Sequence, residues 1–83
     1  MFNPKWFGDF FEQESPAGLI NGSNTTYNLS RTPVADKSVI LMLDVVPLRQ
    51  GGGLDYTISG KTITMNFAPP LGTIMYCFYL AKD

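Results

Sequence analysis

The sequence contains no histidine and a single cysteine, and only 16% of its 83 residues are charged. Each scarcity removes a class of function. Without histidine the chain lacks the commonest general base, proton shuttle and metal ligand near neutral pH. The lone thiol, Cys77, forms no internal disulfide, and no histidine is present to activate it or a serine hydroxyl. Cys77 lies in the apolar run TIMYCFYL, where it reads as a small buried hydrophobe. The seven acids, Asp9, Glu12, Glu14, Asp36, Asp44, Asp55 and Asp83, fall in no calcium-loop pattern, and there is no zinc ligand set. The expectation is a binding or structural module rather than an enzyme, with no cofactor and no metal.

Six Lys and Arg against seven Asp and Glu leave no basic face able to neutralise a run of phosphates, so nucleic acid is not an expected partner. A soluble domain carries about 25% charged residues; the shortfall here implies that part of the surface is covered in use by another subunit or protein. No apolar segment approaches the roughly 20 residues of a membrane span. The start, MFNPKWFGDFFEQ, has no basic stretch followed by a long apolar run and a small-residue cleavage site, so export is not expected. That bears on three triplets, Asn21-Gly22-Ser23, Asn24-Thr25-Thr26 and Asn28-Leu29-Ser30, which fit the N-glycosylation pattern. In a chain that is not exported they read as turn and strand chemistry.

What the chain does have is 45% hydrophobic and 13% aromatic residues, enough for the core of one small domain. A domain of this size buries about 60–65% of the surface its unfolded chain exposes. From Ala17 onward short apolar runs alternate with turn residues about every ten positions, an all-β pattern. AGLI is closed by the turn NGSN. TTYNLS alternates Thr25, Tyr27 and Leu29 with the polar Asn28 and Ser30. After the loop RTPVADK, VILML is apolar on both faces. DYTISGKTITMNF reads as a hairpin, with Ile58, Ile63, Met65 and Phe67 toward the core and Thr62, Thr64 and Asn66 outward.

TIMYCFYL again has two apolar faces, Ile74, Tyr76, Phe78 and Leu80 on one and Met75, Cys77 and Tyr79 on the other. A strand with two apolar faces lies mid-fold, or has one face on the core and one on a partner. DVVPLRQGGGLD reads as a long mobile loop; no Lys-Ser/Thr follows Gly51–Gly53, so it is not a phosphate cradle. The expected fold is a small antiparallel β-sandwich or barrel of about six strands, over residues 15–83.

Residues 1–14 differ. Asn3 is placed to cap a helix with Pro4 at its first position, and Trp6, Phe7, Phe10 and Phe11 then form an apolar stripe. A helix of some ten residues containing Gly8 is not stable alone. The segment must dock on its own sandwich, on a neighbouring subunit or partner, or on a membrane surface. Its polar face, with one Lys against two acids, speaks against a membrane. Phe2, Trp6, Phe7, Phe10 and Phe11 are the candidate partner-binding residues.

The order GLINGSNTTYNLSRTPV, SVILML, PLRQG, DYTISGKTITMNFAPPLGTIMYCFY resembles a small β-sandwich module of tailed-bacteriophage structural proteins, found in tail fibres and other particle-surface or attachment proteins. The motifs that carry the likeness stand at Asn21 to Tyr27, Thr32 to Val34, Val39 to Leu43, Asp55 to Gly60 and Ala68 to Gly72. Two departures are visible. Asp44-Val45-Val46-Pro47 stands where such modules carry Asn-Gly, and three glycines stand where they carry one. The loop there is expected to be longer and differently shaped.

The resemblance implies a non-enzymatic virion component, made in the bacterial cytoplasm and not secreted. It would act as a capsid decoration or cement protein, a head fibre, or a neck or tail adaptor. Its partners would be other virion proteins, such as capsid, portal or tail proteins, and further copies of itself, with a trimer as first expectation. The alternative is a carbohydrate- or host-receptor-binding module in which exposed Tyr56, Tyr76 or Tyr79 stack on sugar rings.

Overall fold

The computed structural model describes residues 10–82. Seven strands form two antiparallel sheets packed face to face, and among the described residues the only helical element is a short 3-10 turn, Asp36–Ser38. The strands are β1 (Phe10–Glu14), β2 (Thr26–Asn28), β3 (Ile40–Leu43), β4 (Val46–Pro47), β5 (Tyr56–Ser59), β6 (Thr62–Met65) and β7 (Met75–Ala81). One sheet has the order β1-β7-β3-β4 and the other β2-β6-β5. The protein is an all-β sandwich.

The core lies between the sheets and follows from strand alternation. Tyr27, Tyr56, Ile58, Ile63 and Met65 point inward from the three-stranded sheet, with Leu29 just beyond β2. They meet Leu41, Met75, Cys77, Tyr79 and Ala81 of the four-stranded sheet, with Val39 just before β3. Fully burying side chains of this size contributes roughly 1.5–3 kcal/mol each.

The hairpin β5–β6 has the expected shape: Ser59 pairs with Thr62 across the loop Gly60-Lys61. Gly60 takes φ +59, the positive angle that a tight hairpin needs at its first loop position. Asn21 and Asn24 build the NGSN turn. The Asn21 Oδ1 accepts N–H bonds from Ser23 and Asn24, both at 2.9 Å, and the Asn24 amide donates to the carbonyls of Leu19 and Thr26. Asn28 Oδ1 accepts from the Thr62 hydroxyl at 3.1 Å, tying β2 to β6 on their outer side.

Several sequence expectations are corrected. No helix runs through Phe10 and Phe11. Phe10–Glu14 is strand β1, because the free edge of β7 offers it a five-residue ladder, from Phe10 opposite Ala81 to Glu14 opposite Cys77. The rest of the expected helix, with Phe2, Trp6 and Phe7, lies outside the described residues. AGLI is not a strand: only Ala17 bridges, to Asn28, and Leu19 is exposed. Phe67 is exposed rather than core, because β6 ends at Met65 and the backbone N–H of Asn66 turns to the Asp55 carbonyl.

The stretch after β3 is also more ordered in form than a long loop. Leu43 pairs with Val46 across Asp44-Val45, and Pro47 pairs with Met42 on an edge strand, where a missing N–H is tolerated. The three glycines form a hydrogen-bonded turn, with Gly51 N–H on the Tyr56 carbonyl at 2.7 Å and Leu54 N–H on the Gly51 carbonyl at 3.0 Å.

Candidate apolar interface on the four-stranded sheet

The outer faces of the two sheets differ in kind. On the three-stranded sheet the outward positions are Thr26, Asn28, Thr57, Ser59, Thr62 and Thr64, the side chains a solvated strand surface favours. On the four-stranded sheet the outward positions carry Phe11 and Gln13 on β1, Tyr76, Phe78 and Leu80 on β7, Ile40 and Met42 on β3, and Pro47 on β4. Phe11 sits opposite Leu80, Ile40 opposite Phe78, and Met42 opposite Tyr76, so these side chains form one continuous patch.

Aromatic contacts hold the patch in shape. The Phe11 and Phe78 rings lie 6.3 Å apart between centroids, and Tyr76 meets Phe78 edge-on at 5.3 Å and 81°. Such ring pairs contribute about 0.5–1.5 kcal/mol beyond their burial. The patch nevertheless remains open: Phe11 is 65% exposed, Ile40 56% and Leu80 38%. Ile74, at 65%, continues it just before β7. None of these outward positions bears a charge. This continuous apolar area is the candidate binding surface among the described residues.

The edge strand that carries Phe11 is fastened by its other face. Glu14 Oε2 accepts hydrogen bonds from the Tyr79 hydroxyl, from the Ser30 backbone N–H at 3.1 Å and from the Ser30 hydroxyl at 3.0 Å. The Arg31 N–H donates to the Tyr79 oxygen at 3.2 Å, and Arg31 Nε reaches Glu12 Oε2 at 3.2 Å. Burial, reinforced by the neighbouring Glu14 carboxylate, pushes the Tyr79 hydroxyl up to about 12. Cys77, on the inward face of the same strand, is also pushed to about 12, first by burial and then by the negative charge of Glu14. A thiol in that state is packing, not a nucleophile.

Of the candidate partner-binding residues, Phe11 is on the patch, Phe10 is in β1 opposite Ala81, and Phe2, Trp6 and Phe7 lie outside the described residues. Of the three tyrosines considered for sugar stacking, Tyr56 and Tyr79 are 1% exposed in the core and are not available; Tyr76 alone reaches the surface. Sequence reading named one face of β7 and one of β3 as a possible partner surface. It did not join them to Phe11, because the β1–β7 pairing that aligns them spans the length of the chain.

Among the described residues no group of three or more His, Cys, Asp or Glu side chains is placed to hold a metal, and no helix is long and apolar enough to cross a membrane. No protein family, no curated protein and no solved structure matches this chain.

Proposed function

We propose that this protein is a non-enzymatic structural component of a tailed-bacteriophage virion, held in place by the outer face of its four-stranded sheet together with its aromatic N-terminal segment. The observation that carries the reading is the contrast between the two outer faces: one is Thr, Ser and Asn throughout, and the other is Phe, Tyr, Ile, Met, Leu and Pro but for Gln13 on the edge strand. A single small domain keeps so much apolar surface where another molecule covers it. The motif order from Asn21 to Gly72 supports the phage assignment, and the absence of histidine supports a role without catalysis.

In this role the protein is a capsid decoration or cement protein, a head fibre, or a neck or tail adaptor, with capsid, portal or tail proteins as neighbours. The test is incorporation. Purified particles of the phage that encodes it should contain the protein in a fixed number of copies, and Ile40→Glu should remove it from particles while leaving its far-ultraviolet circular dichroism unchanged. Particles without the protein, or a variant that incorporates normally, would reject the assignment.

A further inference from the structure

The turn Asn21-Gly22-Ser23-Asn24 brings together the parts of a reaction of the chain with itself. Asparagine is among the thermally labile side chains. Its amide closes into a five-membered imide when the backbone nitrogen of the next residue attacks its carbonyl carbon. That step needs an unhindered nitrogen, a polarised carbonyl oxygen and an amide nitrogen free to leave. Among the described residues the asparagines are Asn21, Asn24, Asn28 and Asn66, and they differ in how far they meet these needs.

Asn21 meets all of them. Its Oδ1 accepts the N–H groups of Ser23 and Asn24, both at 2.9 Å, which folds the side chain forward along the backbone toward Gly22. Two such donors draw electron density from Cγ and are in place for the negative charge that forms on Oδ1 when a nucleophile adds, as in an oxyanion hole. The attacking nitrogen belongs to Gly22, which is exposed at φ +83 with open space where a Cβ would stand. Neither the Gly22 N–H nor the Asn21 Nδ2 makes a hydrogen bond among the described residues. The other asparagines are held. Asn24 Nδ2 donates to the Leu19 and Thr26 carbonyls at 3.1 and 3.0 Å, and the β-branched Thr25 follows it. Asn28 lies in β2, and the nitrogen after it, Leu29 N–H, is bonded to the Lys61 carbonyl at 2.8 Å. Asn66 Nδ2 donates to the Leu54 carbonyl, and Phe67 follows.

We infer that Asn21 is a site of spontaneous covalent modification in the folded protein, through attack of the Gly22 nitrogen on Asn21 Cγ. The Gly22 N–H gives its proton to hydroxide as the N–Cγ bond forms; the Cγ–Nδ2 bond then breaks and ammonia leaves, its proton supplied by water. Water opens the imide at either carbonyl. Cleavage of the new bond leaves an aspartate in an unchanged backbone. Cleavage of the original peptide bond leaves the chain running through the side chain, longer by one methylene. The first product keeps an acceptor for the Ser23 and Asn24 N–H groups, now charge-assisted. The second disrupts the turn that presents the Asn24 carbonyl to the Tyr27 hydroxyl. Either adds a negative charge to a chain of formal net charge -1. The inference concerns the turn alone and needs neither the outer face nor the phage assignment.

Incubating the full-length folded protein in mildly alkaline buffer, with peptide mapping by mass spectrometry, tests it. The peptide holding Asn21 should gain the mass difference between a hydroxyl and an amino group and split into two chromatographic forms, at a rate that rises with hydroxide concentration. Fragmentation should place the change at Asn21 rather than Asn24, while peptides holding Asn28 and Asn66 stay unchanged. Gly22→Ala, which sets a Cβ beside the attacking nitrogen, should slow the conversion about tenfold, a barrier increase of about 1.4 kcal/mol. A folded protein that stays unconverted while the same chain converts in urea would show that the two hydrogen bonds hold the amide away from Gly22, and would overturn the inference. Conversion first at Asn24, Asn28 or Asn66, or a folded Gly22→Ala variant that converts as fast as the parent, would overturn it too.

Discussion

Two residues adopt backbone angles that their neighbours enforce. Gly18 has φ +150, and a Cβ built there would lie 2.5 Å from Tyr27 Cδ2 and 3.1 Å from the Thr26 carbonyl. The Tyr27 ring cannot retreat, since it is 1% exposed and its hydroxyl donates to the carbonyls of Leu19 and Asn24. Gly18→Ala should therefore cost about 2–4 kcal/mol, combining strain with core displacement, measured as a fall in the urea midpoint. Asp44 is the one non-glycine at positive φ among the described residues, at +56. Its carboxylate accepts the Ile74 N–H at 3.0 Å and its own N–H donates to the Ile74 carbonyl at 2.7 Å, extending the β7 ladder into the β3–β4 turn. Asp44→Ala keeps the strained angle and loses the acceptor, for an expected loss of about 1–2 kcal/mol; Asn in its place should recover most of it.

At the scale of elements, local pattern and long-range pairing carried different shares. The β5–β6 hairpin was readable because alternation and a Ser-Gly turn fix its register within a dozen residues. β1 was not. Phe10, Phe11, Glu12 and Gln13 fit a helix face as well as a strand, and the choice is made by a partner strand some 65 residues away. Both apolar faces of β7 were visible in the letters, but which one is inside depends on its registers with β1 and β3. β7 also carries the two largest upward shifts among the described residues, while burial raises Tyr27 and Tyr56 in the other sheet as well. Tyr79 and Cys77 rise to about 12 in the fold from ordinary values of 10 and 9. Above pH 9 the unfolded chain therefore holds fewer protons than the folded one, and stability falls as pH rises. Urea titrations should give a progressive loss of stability between about pH 9 and 12, with the Glu14 contact to Tyr79 on the affected strand.

At the scale of the described molecule, one outer face is polar and the other mostly apolar. Because Ile40 is 56% exposed, Ile40→Glu should leave the unfolding free energy within about 0.5 kcal/mol while reducing binding of a hydrophobic dye. The opposite change on the other sheet, Thr64→Ile, should increase dye binding at similar stability, since Thr64 is an exposed outward position of β6. Equal dye binding by both variants and the parent would deny the difference between the faces. The sandwich class and most of the core were legible from period-two alternation; the assembly of scattered outward residues into one patch was not, because strand order is a property of the closed fold.

Cys77 turns the fold into its own stopwatch. It is the only thiol in the chain and is fully shielded at the middle of β7, with β1 on one side and β3 on the other. A thiol reagent reaches it only when the two sheets part, so the rate of modification in native buffer measures how often the sandwich opens. No engineered label is needed, and the same clock read at low and high protein concentration reports whether self-association slows that opening.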